Sequence, residues 1–327
     1  MTTARPSPLE IEPFTADALD SAAVLLAERH RRHRLAEPLL DPSFENPATT
    51  RAAIEVELAA ERAGGWVARR DGEVVGYLIG QEKAASWGAN VWVEAAGHAA
   101  SDAAVVRELY AVAAAAWVGE GRTNHHIVVP ATDTDLVDAW FTMDFGQQHL
   151  HAIREAPGPT FGVVPRSELV IRAKTRDDLD ALAELELALP AHMRQSPVFS
   201  PLPVQTVEEV RTELEADVDN PKYTYFVAEH EGRVVGSAIG CDLAISSSHH
   251  GPNRPGGAGF LGFAAVSPAA RGLGAGSALG EAVLAWARDA GYPTVATDWR
   301  STNIEADRTW RSLGFRPTFR RMHRLIG

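Results

Sequence analysis

Cysteine is almost missing from this sequence: Cys241 stands alone among 327 residues. That excludes an intrachain disulfide and fits a chain kept in a reducing cytoplasm. No run of about eighteen apolar residues exists, so neither a transmembrane helix nor a membrane partner is expected. Met1 to Pro8 has no apolar core of the kind a signal peptide needs. Positive charge is also short, with 31 Lys and Arg against 43 Asp and Glu, a net charge of −12. That balance argues against a nucleic-acid partner and is compatible with a cationic acceptor. Histidines fall in pairs, His125-His126, His149-x-His151 and His249-His250. No glutamate or cysteine stands beside them at metalloenzyme spacing, so no metal is expected. Cys241 follows an apolar strand without an evident partner, which argues against a nucleophilic thiol.

What is present is a repeat. Trp66 to Gly80 lines up with Phe226 to Gly240, with eight identities in fifteen. Thr132-Asp133 and Trp140 to Phe145 line up with Thr302-Asn303 and Trp310 to Phe315. Two matches in the same order, at offsets of 160 and 170 residues, indicate a duplicated domain, and the length suffices for two cores. Hydrophobic periodicity reads the first copy as a strand at Leu9–Phe14, helices from Ala16 to Arg34 and from Pro47 to about Ala63, and a hairpin at Gly65–Gln81. A strand at Asn90–Glu94, a helix at Asp102–Val118, a strand at His126–Val129, a short helix at Thr134–Met143 and a strand at Gln147–Arg154 follow. Ala156 to Gly162, rich in proline and glycine, marks a linker. The order then recurs with Leu169–Ala173, Arg176–Leu189, Thr206–Ala216 behind a capping box, and the hairpin Tyr225–Cys241. The expected domains are 1–155 and 168–327, joined by 156–167.

The second copy contains the most informative stretch. Phe260 to Val266 is an apolar run that reads as a buried strand. A turn rich in glycine follows, and then Ala275, Leu279, Ala282, Val283, Trp286 and Ala290 recur at helical spacing, ended by Gly291 and Pro293. Strand, glycine turn and helix together form an anion site. Unpaired N–H groups open the helix, its dipole backs them, and Gly272, Gly274 and Gly276 admit close approach. Arg271 adds a positive charge.

Arg271-x-x-Gly274-x-Gly276 after Val266-Ser267-Pro268 resembles the acetyl-CoA-binding motif of the GNAT N-acetyltransferase superfamily. The family's second signature is matched by Asn303-x-x-Ala306-x-x-x-Trp310-x-x-x-Gly314-Phe315, with Trp310 where the family has tyrosine. The resemblance implies an α/β fold, a mixed and strongly curved sheet flanked by helices, here as two tandem GNAT-like domains. It implies acetyl-CoA as cosubstrate, held by Phe263, Ala264, Ala265 and Val266 on the strand, by Arg271, Gly272, Leu273, Gly274, Ala275, Gly276 and Ser277 in the turn, and by Asn303 and Arg308. It implies direct attack of a primary amine, of a small molecule or a peptide, on the thioester in a cytoplasmic enzyme, with a homodimer possible. Two alternatives stand beside it: a non-catalytic acetyl-CoA sensor or scaffold, and acetylation of a cysteinyl amine in the manner of mycothiol synthase.

In the first copy Ala100 to Val106 has no glycine, and Asp102 stands near the place of Arg271, where a carboxylate repels a pyrophosphate and makes a good N-cap. Asp133 replaces Asn303 and Asp144 replaces Gly314. This copy is therefore expected to lack the cofactor site. The strand Gly259–Ala265 carries no acid to serve as general base. Asp298, on Thr294–Arg300, which the resemblance makes the splayed partner strand, is the leading candidate, with a structural role as its alternative; Asp242, His249 and His250 are weaker ones, and a water chain is a further option. Trp310 is either a donor to the departing CoA thiolate or core packing. The basic run Arg29 to Arg34 reads as a solvated helix C-terminus, or else as a patch for a CoA phosphate.

Overall fold

The computed structural model describes residues 7–166, 168–200 and 205–327. Met1–Pro6, at the head of the expected first domain and within the segment tested for a signal peptide, lies outside the described residues, as does Ser167 at the end of the expected linker. Two compact units emerge. Among the described residues, the first comprises those up to Gln148 with His250–Arg254 and Thr318–Gly327; the second comprises those of His149–His249 and Pro255–Pro317. Among the described residues no helix is long and apolar enough to cross a membrane.

The first unit begins with β1 (Glu10–Pro13), α1 (Leu19–Ala36), α2 (Pro47–Leu58), β2 (Gly64–Arg70) and β3 (Glu73–Gly80). It continues with β4 (Asn90–Val93), β5 (His98–Ala100), α3 (Ala103–Gly119), β6 (Asn124–Pro130) and α4 (Thr134–Phe141). The expected second helix is shorter than its sequence pattern and ends at Leu58. β1, β2, β3 and β5 form one antiparallel sheet. β4 pairs with β6 in parallel, and β6 pairs antiparallel with Thr318–Leu325 from the far end of the chain. Asp71 and Gly72 close the β2–β3 hairpin with φ of +53° and +83°, the two left-handed residues such a tight turn requires. Leu109, Tyr110 and Trp117 of α3 pack on Ile127, Trp140, Phe145 and Met322.

The basic run at the end of α1 is not a solvated cap. Arg29, His30 and His33 are buried, because they continue the face formed by Ala22, Ala23, Leu26 and Ala27 at spacings of three and four. Arg29 donates to the carbonyls of Ala95 and His98, and His30 Nε2 lies 2.8 Å from the Asp41 carbonyl.

The second unit takes its first strand from β7 (Gly146–Glu155), of which His149 onward belongs here. Then come β8 (Val170–Ala173), α5 (Leu179–Met193), α6 (Val207–Ala216), β9 (Tyr223–His230) and β10 (Arg233–Asp242). β11 (Ala258–Val266), α7 (Ala275–Asp289), β12 (Thr294–Arg300), α8 (Ile304–Ser312) and β13 (Arg316–Leu325) complete the chain. Its strand order is β7-β12-β11-β10-β9-β8, with β11 and β12 parallel and the other pairs antiparallel. This is the mixed sheet flanked by helices that the motifs imply. α7 lies on it through Leu279, Val283 and Leu284, which meet Leu150, Leu261, Val295 and Trp299. The last strand of each sequence half thus completes the unit built mainly from the other half. Neither β13 nor this exchange is foreseen by the sequence pattern.

Candidate functional site

β11 and β12 stay paired only from Ala258 opposite Thr294 to Leu261 opposite Thr297. The Thr297 hydroxyl donates to the Leu261 carbonyl at 3.0 Å. β11 then runs on to Val266 and β12 to Arg300 without a ladder between them. The register of β10 against β11 slips between Ile239 and Gly240, leaving Gly262 in a bulge that turns β11 away. Past the bulge, Ala264, Ala265 and Val266 line a cavity of about 120 Å³ with Arg271, Gly276, Asn303, Trp310 and, from α5, Leu189 and His192.

The turn after β11 behaves as its glycines predict. Gly272 and Gly274 have φ of +86° and +79°, and Gly274 is the N-cap of α7. No side chain caps that helix. Its first internal bond joins the Ala278 N–H to the Gly274 carbonyl at 3.0 Å, so the N–H groups of Ala275, Gly276 and Ser277 open the helix without an intrahelical acceptor. At the matching point of the first unit, Asp102 Oδ1 accepts from the N–H groups of Ala104 and Val105 at 3.0 and 3.1 Å. One helix start is filled by a carboxylate; the other presents its donors.

The other expected cofactor residues divide. Arg271 is exposed beside the cavity, 3.4 Å from His192 Nδ1 and 3.6 Å from Glu305. Asn303 Oδ1 accepts from the Ala306 N–H at 3.2 Å as the N-cap of α8, so its amide shapes the helix as well as the cavity wall. Phe263, Leu273 and Ser277 are half-buried and do not line the cavity. Arg308 is exposed and lies off it, because Asn303, Ala306 and Trp310 turn one face of α8 inward and position 308 falls on the opposite side. Trp310 is 7 % exposed. A Cβ at Gly280 would lie 3.1 Å from its ring, so glycine there lets α7 close on α8. Trp310 is therefore both a core residue and a wall of the cavity.

Asp298 is the first residue of β12 beyond the last rung, and it sits in a polar cluster. His149 Nε2 lies 2.9 Å from Asp298 Oδ1, and the Ser248 hydroxyl donates to Oδ2 at 3.0 Å. His151 Nδ1 and His249 Nε2 are 3.2 Å apart, and His249 Nδ1 is 3.0 Å from the Ser246 hydroxyl. One ligand atom each from His151, His249 and Asp298 falls within 4.8 Å of the others, a spacing that could hold a metal ion. Hydrogen bonding within the cluster already accounts for those atoms. Burial alone would raise the Asp298 carboxyl. The charge and hydrogen bond of His149 outweigh it, with His249 and His151 behind, and hold the group well below the usual carboxylate range. A carboxylate held so low is a weak proton acceptor. The remaining candidates have other employment. Asp242 caps a short turn through the Ala244 N–H and accepts from Tyr292, and His250 lies in the first unit, 3.3 Å from Glu94. Burial pushes the Cys241 thiol up to about 11, so it is not a nucleophile at neutral pH. Sequence reasoning had no means of joining His149 to Asp298, since 149 residues separate them and they come from different copies.

The profile of the Acetyltransferase (GNAT) family matches residues 190–315, which carry the glycine turn, the splayed strands and α8. An aminoglycoside N(6')-acetyltransferase type 1 from Stenotrophomonas maltophilia is 32% identical over 121 residues, 34% of this chain and 79% of that protein. The chain belongs to the GNAT family and is by class an acyltransferase. Its whole length follows a tandem form of that fold. A GCN5-related N-acetyltransferase from Sphaerobacter thermophilus superposes with a TM-score of 0.60 over 98% of this chain and 96% of that one, at 14% identity. A tandem GNAT protein from the clavulanic acid biosynthesis pathway superposes with a TM-score of 0.50 over 98% and 99%, at 17% identity.

Proposed function

We propose that the second unit is an acetyl-CoA-dependent N-acetyltransferase that acetylates a primary amine by direct attack. The observation that carries this reading is the uncapped start of α7 beside parted strands, set against the carboxylate-filled start of α3. The Gly272–Ser277 turn and Arg271 take the pyrophosphate, and the free edge of β11 at Phe263–Val266 offers main-chain groups to the pantetheine arm. The first copy, with Asp102 in its turn, keeps the fold and takes no acetyl-CoA. In the transfer, a C–N bond forms as the thioester C–S bond breaks, and the attacking nitrogen loses a proton. We assign that proton to the departing CoA sulfur, carried there by water, so that CoA leaves as the thiol. Asp298, tied to His149 across the β7–β12 pair, is then a structural residue rather than the base.

Titration calorimetry tests the cofactor half, with one acetyl-CoA expected per chain and none after Arg271→Glu; two equivalent sites would overturn the assignment. Release of CoA with an amine panel tests the rest: an aminoglycoside, a cysteinyl sugar conjugate, a polyamine and a peptide N-terminus. Turnover of one class names the acceptor, and binding without turnover of any would replace this reading with that of an acetyl-CoA sensor. His149→Gln is expected to leave kcat of the folded protein within twofold, and a tenfold fall with the acetyl-CoA KM unchanged would make the histidine the base instead.

A further inference from the structure

The first unit contains a cavity of about 240 Å³ at the place where the second unit has its cofactor cavity. The two are built from matching positions. Arg29 and Arg32 of α1 stand 160 residues before Leu189 and His192, while Asp133, Asp135 and Leu136 stand 170 before Asn303, Glu305 and Ala306. These are the offsets of the sequence repeat itself. The duplication kept the hollow and changed its lining.

The new lining does not suit CoA. Val106 replaces Gly276, and Asp102 already accepts the helix-opening N–H groups. It has instead a positive wall and a negative one. On the α1 side Arg29 is only 3 % exposed. Its Nη atoms donate to two main-chain carbonyls, its Nε is buried without a partner, and no carboxylate pairs with it among the described residues. A buried guanidinium answered only by neutral acceptors lacks a counter-charge. Arg32, one turn on, extends this wall toward solvent, with Glu28 at 3.5 Å. On the opposite side Asp133 and Asp135 open α4; Asp133 accepts from the Leu136 N–H at 3.0 Å, and Asp135 is exposed. The two walls sense each other's charge, since Asp133 acts on Arg29, but they form no ion pair across the cavity.

We infer that this cavity is a second ligand site that binds a small zwitterion, a free α-amino acid, with the carboxylate toward Arg29 and the ammonium toward Asp133 and Asp135. A carboxylate supplies the charge that Arg29 lacks, and a bidentate geometry suits a guanidinium. An amine alone would leave Arg29 unanswered, and an anion alone would face the acidic wall. This inference is independent of the acetyl-transfer reading of the second unit.

The test uses the full-length chain and the twenty standard amino acids at millimolar concentration, read by thermal shift and then by calorimetry. At least one is expected to bind. For a binder such as leucine, 4-methylpentanoate and 3-methylbutylamine, which lack one charge each, are expected to bind at least tenfold more weakly. Arg29→Met is expected to weaken binding at least tenfold. Because a buried change can disturb folding, Arg32→Gln and Asp135→Asn, at exposed positions, are made in parallel and are expected to weaken it severalfold. Absence of binding by all twenty overturns the inference. So does binding that is indifferent to Arg32→Gln and Asp135→Asn, which would put the amino acid elsewhere, including the acceptor site of the second unit. Equal binding of the one-charge analogues rejects the zwitterion.

Discussion

Gly276 offers a way to separate the anion site from the fold around it. It occupies the first turn of α7 and lines the cavity, and a Cβ there would meet only Thr309 Cγ2 at 3.8 Å and Val266 Cγ2 at 3.9 Å, ordinary contact distances. Gly276→Ala should therefore fit, and should stabilise the helix by up to about 1 kcal/mol. Gly276→Asp should fit nearly as well, because a carboxylate in the first turn complements the helix dipole by about 0.3–1 kcal/mol. For a unit of this size the melting temperature should hold or rise by a few degrees in both variants. Binding should behave oppositely. A pyrophosphate on the α7 donors would lie about 4 Å from the new carboxylate, and one unit of like charge at an effective dielectric of about 20 costs about 4 kcal/mol. That is about a thousandfold in Kd. The measurement is calorimetric titration of acetyl-CoA into both variants at fixed ionic strength, beside differential scanning fluorimetry. A Kd for Gly276→Asp within threefold of Gly276→Ala would refute the placement of the pyrophosphate at this helix.

Other outcomes follow from single features. Asp102→Ala should cost about 1 kcal/mol through loss of the α3 cap and leave acetyl-CoA stoichiometry at one; a second equivalent of bound acetyl-CoA would make Asp102 the sole block in the first copy. Trp310→Phe should lower the melting temperature, by about 2 kcal/mol of lost packing, and leave kcat of the folded protein within twofold, whereas a tenfold fall restored by Trp310→Tyr would assign the ring to the leaving thiolate. Glu57 is buried, and burial, helped by the charge of Glu94, pushes its carboxyl from 4.5 up to about 7. An acid raised in the folded state binds its proton more tightly than in the unfolded chain, so its share of stability, about 3 kcal/mol, is present at pH 4.5 and lost as pH rises to 7. Lys83 and His250 both pair with Glu94 beside it. Glu57→Gln should therefore flatten the fall of first-unit stability between pH 4.5 and 8 in denaturant titrations, and an unaltered slope would show that the group does not titrate there.

The motifs and hairpins were legible because each is local. Strand, glycine turn and helix specify their own backbone, and the Asp71-Gly72 turn declares itself by its dipeptide. Asp102 was legible as a cap for the same reason. The basic run of α1 hides its place in the core: Arg29, His30 and His33 continue a buried face that their chemistry disguises. β13 is hidden in the same way, since Arg316, Arg320, Arg321 and Arg324 mask the buried Phe319 and Met322. The pairing of His149 with Asp298 was out of reach for a different reason. Two homologous halves can trade equivalent strands without changing any local pattern, so nothing in the letters distinguishes a chain that trades them from one that does not.

That trade sets a timetable on the ribosome. Asn124 of β6 pairs opposite Leu325, about 200 residues further along the chain. The first unit therefore waits, with one edge of β6 unpaired, until the residues between β6 and β13 have been translated. At about 5–20 residues per second the delay is on the order of 10–40 seconds. An open strand edge over such an interval is a template for pairing with another nascent chain. Slow stretches of translation before the glycine turn should thus raise aggregation of the first copy, and cleaving the chain at its linker after folding should do far less harm than expressing the two halves apart.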